Sequence, residues 1–111
     1  MTAEAPLGNE IAVRDNPEAR RFEATIDGQV AFAEYNRLST GIVLAHTEVP
    51  PALEGRGIAS AIFRTVVATL RERQETVMPV CPVFALWLKR HPEAHDVVHP
   101  SYRSTLGIAA D

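Results

Sequence analysis

The stretch that decides how this chain folds is Glu54-Gly55-Arg56-Gly57-Ile58-Ala59, which lies between an apolar run ending at Val49 and a helical pattern beginning at Ile58. A strand, a glycine turn and a helix in that order gather unpaired backbone N–H groups at the positive end of the helix. The two glycines carry no side chain that would keep a ligand from the backbone. The turn is therefore a candidate phosphate site, although the same residues also suit a tight turn that binds nothing.

Two common glycine loops do not fit this stretch. A nucleotide-binding P-loop requires Gly-Lys-Ser/Thr where the helix opens, and no such run is present. A dinucleotide fingerprint requires a third glycine, where this chain has Ser60, and it belongs to alternating β and α units. The residues before the loop instead have the pattern of an antiparallel meander.

The meander is predicted over residues 22–49. Phe22, Ala24 and Ile26 alternate with polar residues, as in a half-buried strand, and Asp27-Gly28 is typical of a hairpin turn. The return strand is predicted over 29–38 and a third strand over 42–49. After Pro50-Pro51 the period changes to that of a helix.

The helix is predicted over residues 58–74 because one stripe of it is apolar; the stripe consists of Ile58, Ile62, Phe63, Val66, Val67 and Leu70. A fourth strand is predicted over 76–80, which gives a right-handed βαβ crossover. Pro82 suits the first turn of a second helix. The expected fold is α/β (α+β), with a mixed, mostly antiparallel sheet and helices on its faces.

Size and composition narrow the possible functions. A length of 111 residues indicates one domain, predicted over 11–111 after a disordered tail at 1–10. The net charge of −3 and the scattered basic residues disfavour nucleic acid as a partner. A single cysteine excludes an internal disulfide, and neither a signal peptide nor a membrane span is recognisable. These features predict a cytoplasmic protein and leave the oligomeric state open.

Three motifs in a fixed order resemble the GNAT superfamily of acetyl-CoA-dependent N-acetyltransferases, and most closely its small YjdJ-like branch of about 100 residues. They are His46-Thr47-Glu48-Val49-Pro50, then Gly55-Arg56-Gly57-Ile58-Ala59-Ser60, then Val80-Cys81-Pro82 followed by Phe84-Ala85, Trp87-Leu88 and His91-Pro92. The resemblance covers roughly residues 22–93. It implies a transferase that uses acetyl-CoA as co-substrate and an amine as acceptor.

The resemblance also implies where CoA lies. The pyrophosphate would bind the backbone of Gly55, Arg56, Gly57, Ile58, Ala59 and Ser60, and an N–H near Val49 would hold the oxyanion. The pantetheine arm would lie between the strands ending at Val49 and Val80. Pro79 supports this arrangement independently. It cannot donate a hydrogen bond to the neighbouring strand, so the two strands could splay apart there. The alternative is that residues 76–80 are simply an edge strand.

Two residues depart from the superfamily pattern. Glu54 is acidic where Gln or Arg is usual, so its side chain is expected to point to solvent. Lys89 stands where a tyrosine often protonates the departing CoA, which leaves that acid unassigned. The Lys89 departure, and the short chain after the second helix where larger members carry acceptor-binding strands, favour a rival interpretation, a non-catalytic CoA-binding sensor or interaction module. A third interpretation is a structural interaction domain whose glycines serve only a turn.

Three residues are catalytic candidates. Cys81 precedes a predicted helix start, where a thiolate is stabilised; by the resemblance it lies beside the CoA thiol as nucleophile, acid or base, or pocket wall, and otherwise it is an inert buried cysteine. His46 is placed on the face of Ile42 and Leu44, either as a general base or as a core residue. Glu48 shares that face and orients His46 or replaces it.

Three histidines have a spacing that could suit a metal site. His91, His95 and His99 are spaced by four residues, as ligands on one helical face would be. Prolines at 92 and 100 interrupt that helix. No metal is predicted.

Overall fold

The computed structural model describes residues 11–108, so the predicted tail at 1–10 lies outside the described residues. The elements follow in the order β1 (Arg14–Asn16), β2 (Arg21–Ile26), β3 (Gln29–Leu38), β4 (Gly41–Glu48), α1 (Ile58–Arg73), β5 (Thr76–Pro79), α2 (Pro82–Lys89) and α3 (Pro100–Arg103). Short 3-10 helices span Pro51–Leu53 and Pro92–Val97. No helix within 11–108 is long and apolar enough to cross a bilayer.

The five strands form one sheet in the order β1-β2-β3-β4-β5. Neighbours are antiparallel except for β4 and β5, which are parallel and joined through α1. The predicted α+β fold with a mixed, mostly antiparallel sheet and a βαβ crossover is therefore confirmed. The sequence did not predict β1, a charged three-residue strand that Tyr35 helps to hold by donating a 2.6 Å hydrogen bond to Asp15.

The core lies on the α1 side of the sheet. The whole predicted apolar stripe of α1 is buried, and α1 packs on β2 and β3 while α2 packs on β4 and β5. Phe63 of α1 contacts Phe84 of α2, with ring centroids 4.9 Å apart. Each such side chain contributes about 1.5–3 kcal/mol on burial, so the two helices are fixed against each other as well as against the sheet.

A β-bulge in β4 changes which residues face the core. Tyr35 pairs with Leu44, but its neighbour Glu34 pairs with His46, so Ala45 is an extra residue. Directly opposite residues share a face, and consecutive residues of β3 face opposite sides. His46 therefore lies on the face of Glu34, away from Leu44.

The prediction that His46 shares a face with Ile42 and Leu44 is therefore wrong, because alternation was counted without the bulge. Ile42 and Leu44 are buried, whereas His46 is exposed. We call the face of the sheet opposite α1 the outer face; it carries Phe32, Glu34, His46 and Glu48, among others.

The β4–β5 ladder ends at the pair Leu44 and Pro79. Pro79 lacks an N–H, and β5 stops there, one residue earlier than predicted. Cys81 makes a last contact by donating its N–H to the carbonyl of Leu44 at 2.9 Å, after which α2 begins. Beyond that point no strand of the described chain pairs with β4 on this side, and we call residues 45–48 there the open edge.

The segment after α2 covers the other side of β5. Val98 forms a parallel bridge with Val77, and the N–H of His99 donates to the Val77 carbonyl at 2.9 Å. Arg71 of α1 anchors the segment through Asp96 at 2.6 Å. Sequence patterns beyond residue 91 were too weak to predict this packing.

Candidate functional site

Both glycines of the turn before α1 have a left-handed backbone conformation. Gly55 and Gly57 have φ of +80° and +78°, in the left-handed region that favours glycine. Gly57 is the N-cap of α1, and no side chain caps this helix end. The amides of the first helical turn are therefore left for a ligand rather than for a capping side chain.

A shallow pocket of about 180 Å³ lies at this helix end. It collects residues from the end of β4, the short 3-10 helix and the start of α1, namely Val49, Leu53, Glu54, Gly55, Gly57, Ile58, Ala59 and Ser60. The predicted cofactor-binding residues are thus brought together, except for Arg56. Glu54 is exposed, in line with the expectation that its side chain points to solvent.

Arg56 lies outside the pocket lining and reaches the β2–β3 turn. Its Nη1 is 3.2 Å from Oδ2 of Asp27, and both side chains are at least half exposed. A pair of that kind contributes about 0–1 kcal/mol. The guanidinium is therefore held only weakly at Asp27.

Ser60 connects the pocket to α2. Its Oγ accepts hydrogen bonds from Nε1 of Trp87 at 3.0 Å and from Nε of Arg64 at 3.4 Å. The Trp87 ring stacks on His91 with centroids 4.0 Å apart. The indole of Trp87 thus forms a polar link to the first turn of α1, which hydrophobic periodicity does not reveal.

Cys81 is buried where β5 gives way to α2, with only 2% of its surface exposed. It is the N-cap residue of α2, as predicted, and its carbonyl accepts from the N–H of Ala85 at 2.9 Å. Its Sγ lies 3.3 Å from Oγ1 of Thr47, with the thiol as donor. The thiol therefore faces β4 near the open edge rather than bulk solvent.

Thr47 was missed by sequence reasoning. Counted by simple alternation from Leu44, position 47 faces away from the core, but the bulge returns it to the inner face, opposite Ala33. Ala33 is fully buried on that face. No residue type in the sequence announces the bulge, so no sequence signal pointed to this contact.

His46 and Glu48 form a pair on the outer face. Nε2 of His46 lies 3.6 Å from Oε2 of Glu48, and the side chains are 54% and 65% exposed. The two residues share a face with each other, as predicted, but the prediction that this is the face of Ile42 and Leu44 is wrong for Glu48 as well as for His46. They lie on the opposite side of β4 from Cys81 and Thr47, so the candidate base and the candidate thiol are separated by the strand itself.

The direction of backbone groups along β4 follows from β3. The N–H of Tyr35 donates to the carbonyl of Arg20, on the β2 side. Consecutive residues of a strand point their backbone groups to opposite sides, so Glu34 and Phe32 turn theirs toward β4, where they pair with His46 and Glu48. Thr47, between these two, consequently turns its N–H and C=O toward the open edge.

The remaining candidates lie elsewhere or are already engaged. Lys89 is exposed at the last residue of α2, and a helix of that length measures about 12 Å, so Lys89 is remote from Cys81 at the other end. His91 and His95 contact the carbonyls of Trp87 and Leu88 at 2.7 and 2.6 Å. No group of three metal-ligating side chains is found within residues 11–108.

Comparison with protein families matches residues 21–97 to the family described as GCN5-related N-acetyl-transferase. The matched segment covers more than two thirds of the chain and includes β2 to β5, the glycine turn, both long helices and Cys81. Comparison with curated proteins gives no match.

Proposed function

Because this chain belongs to the GCN5-related N-acetyltransferase family, we propose that it binds acetyl-CoA at the glycine turn and the open edge and transfers the acetyl group to an amine. Membership of the family supports an acetyltransferase in general. The acetyl-CoA dependence, the amine acceptor and the assignment to the small YjdJ-like branch are parts of this proposal.

The observation that carries the proposal is the end of the β4–β5 ladder at Leu44 and Pro79, because the open edge that follows leads to Val49 in the pocket at the glycine turn. An extended chain with amide groups can add to an open strand edge as a partial strand, and Thr47 presents both a donor and an acceptor there. An uncapped helix end with two left-handed glycines suits the pyrophosphate at the other end of the same molecule. The two features together match a long, jointed ligand of the CoA type.

Transfer to an amine requires a neutral nucleophile and a protonated leaving thiol. His46, oriented by Glu48, is the group we assign to remove the amine proton. Since both residues lie on the outer face, the acceptor must approach from that face. Backbone N–H groups near Val49, at the end of the open edge, are the candidates for polarising the thioester carbonyl.

Cys81 lies on the other side of β4, where we assign it a role at the sulfur of the thioester, either as nucleophile or as proton donor. In a covalent route its thiol would take the acetyl group, with loss of its proton, while CoA leaves as the thiol; the amine would then attack the new thioester. In a direct route Cys81 would only donate a proton. Because Cys81 is buried, the gap between the open edge and Cys81 must widen before the acetyl group can reach Sγ in a covalent route.

The test combines binding, turnover and intact mass. We expect acetyl-CoA to raise the melting temperature, and a panel of primary amines to be acetylated by wild type. Cys81→Ala should keep its affinity for CoA within about tenfold, since one small side chain contributes about 1 kcal/mol of contact, while transfer should fall by well over tenfold.

His46→Asn is the matched variant on the outer face. His46→Asn should lower the rate of acetyl transfer and leave CoA binding unchanged. If His46 removes the amine proton, the loss of rate should be greatest at low pH, where few amine molecules are already deprotonated. An acetyl adduct on wild type but not on Cys81→Ala identifies the covalent route. Absence of any thermal shift with millimolar acetyl-CoA would contradict the proposal.

A CoA-binding sensor is the second candidate function. The remote position of Lys89 and the burial of Cys81 favour it, because neither the usual acid nor a freely accessible thiol is present. Binding of CoA without turnover on any amine, and without thioester hydrolysis, would support this candidate.

A further inference from the structure

The bulge at Ala45 places Thr47 where two parts of the proposed site meet. Its backbone N–H and C=O face the open edge, and its side chain lies on the inner face with Oγ1 3.3 Å from Sγ of Cys81. The residue is partly exposed, whereas Cys81 is buried. A ligand along the open edge would therefore reach Thr47 before it reaches the thiol.

We propose that Thr47 is a positioning residue, whose hydroxyl holds the Cys81 thiol toward the open edge so that the thiol can protonate the departing CoA sulfur. This inference rests on the proposed acetyltransferase function. Lys89, which stands at the usual position of that acid, lies at the far end of α2 from Cys81.

The hydroxyl suits this task because it can both accept and donate a hydrogen bond. It accepts from the thiol in the present structure. To protonate CoA, the thiol turns its proton from Thr47 to the CoA sulfur by rotation about its C–S bond; rotation about the C–O bond of Thr47 then lets the same hydroxyl donate to the thiolate. The buried sulfur thus keeps a partner in both protonation states, which avoids the cost of an unsatisfied buried charge.

The proposed step is balanced in atoms and electrons. The amine nitrogen forms its bond to the acetyl carbon and loses a proton to His46, while the C–S bond breaks and its electron pair leaves on the CoA sulfur. Cys81 gives its proton to that sulfur and becomes a thiolate held by Thr47. The proton on His46 passes to solvent, and Cys81 regains one from solvent before the next turnover.

The test uses two substitutions of Thr47 in two backgrounds. Thr47→Val removes the hydroxyl but keeps the shape and the β-branching that suits a strand, and Thr47→Ser keeps the hydroxyl. We expect Thr47→Val to lower kcat by at least about tenfold with KM for acetyl-CoA within about threefold, and Thr47→Ser to stay within about threefold of wild type. In the Cys81→Ala background, Thr47→Val should cause no further loss, because residues that act through one another are not additive.

A second readout does not require turnover. The rate at which iodoacetamide alkylates Cys81 is measured against pH in the full-length protein without ligand. Thr47→Val should lower the alkylation rate at neutral pH by about tenfold, since the hydrogen bond that supports the reactive thiolate is lost, and Thr47→Ser should restore it. Melting curves and the acetyl-CoA thermal shift of each variant serve as controls for folding and binding.

Each result bears on the inference. Equal losses of kcat from Thr47→Val with and without Cys81 would show a structural role and overturn it, as would an unchanged alkylation profile. If wild type does not bind acetyl-CoA, the proposed function fails, yet the alkylation profile still decides whether Thr47 controls the thiol.

Discussion

Replacement of Gly57 by alanine tests whether acetyl-CoA binding needs a residue without a side chain at this position of the glycine turn. Gly57 has φ of +78°, and an added Cβ would meet no atom within 4 Å, so the substitution introduces backbone strain without an internal clash. Left-handed strain costs an L-residue about 1–2 kcal/mol. In a domain of this size each kcal/mol corresponds to roughly 4–8 °C in melting temperature.

The ligand effect is separate from that loss of stability. For wild type, acetyl-CoA at about 100 times its Kd should add about 2.7 kcal/mol, a rise of roughly 10 °C or more. In Gly57→Ala the added methyl group would stand between the backbone and the pyrophosphate, if the pyrophosphate binds where we propose. A tenfold loss of affinity would reduce the stabilisation at the same ligand concentration to about half, and we expect at least that reduction.

Gly107→Ala is the matched control. Gly107 has φ of +75°, again with no atom within 4 Å of an added Cβ, and it does not line the pocket at the glycine turn. It should lose similar stability and keep the full acetyl-CoA shift, as scanning fluorimetry and titration calorimetry would show. A full shift in Gly57→Ala would refute the placement of the pyrophosphate, and equal losses in both variants would show that strain alone weakens binding.

Three further predictions concern stability and binding. Gly41→Ala should destabilise the fold by more than about 2 kcal/mol in urea melts, because its Cβ would lie 1.8 Å from the Thr76 carbonyl oxygen; a neutral result would show that β4 and β5 can separate there. A hydrogen bond from Arg21 holds the pKa of Glu23 below its usual range. The ionised Glu23 therefore contributes fully to stability above about pH 4.3, and this contribution is lost as the pH falls further. Urea melts at pH 7 and pH 3 should show that Glu23→Gln loses less stability over this range than wild type. Trp87 is the single tryptophan and bonds to the first turn of α1, so saturating CoA should change its emission, and an unchanged spectrum would count against binding at that helix end.

The elements that have both a clear hydrophobic period and turn residues at their ends were predictable. The strand over Gln29–Leu38 was predicted with its observed bounds, because Asp27-Gly28 and a second turn enclose it. The main helix was predicted within one residue, since Gly57 precedes it and its apolar stripe is continuous. The candidate phosphate turn followed from the same two facts.

The fine structure of the site was not predictable because it depends on one extra residue. Ala45 carries no chemical mark of a bulge, yet it reverses the alternation for the rest of β4. That reversal moved His46 to the outer face and brought Thr47 to Cys81. The strand β1 was missed for a different reason. Its three residues are polar and show no apolar alternation, so only their pairing with β2 in the folded chain identifies them as a strand.

The two margins of the sheet are protected by different means, with a practical consequence for protein production. The strand β1 is short and charged, which discourages pairing with other molecules, while β5 is covered by Val98 and His99. A fragment spanning only residues 21–97 would lose both protections and leave β2 and Val77 with bare backbone groups. Such a fragment should self-associate or aggregate on expression, whereas a chain that extends from Ile11 to Ile108 keeps both protections.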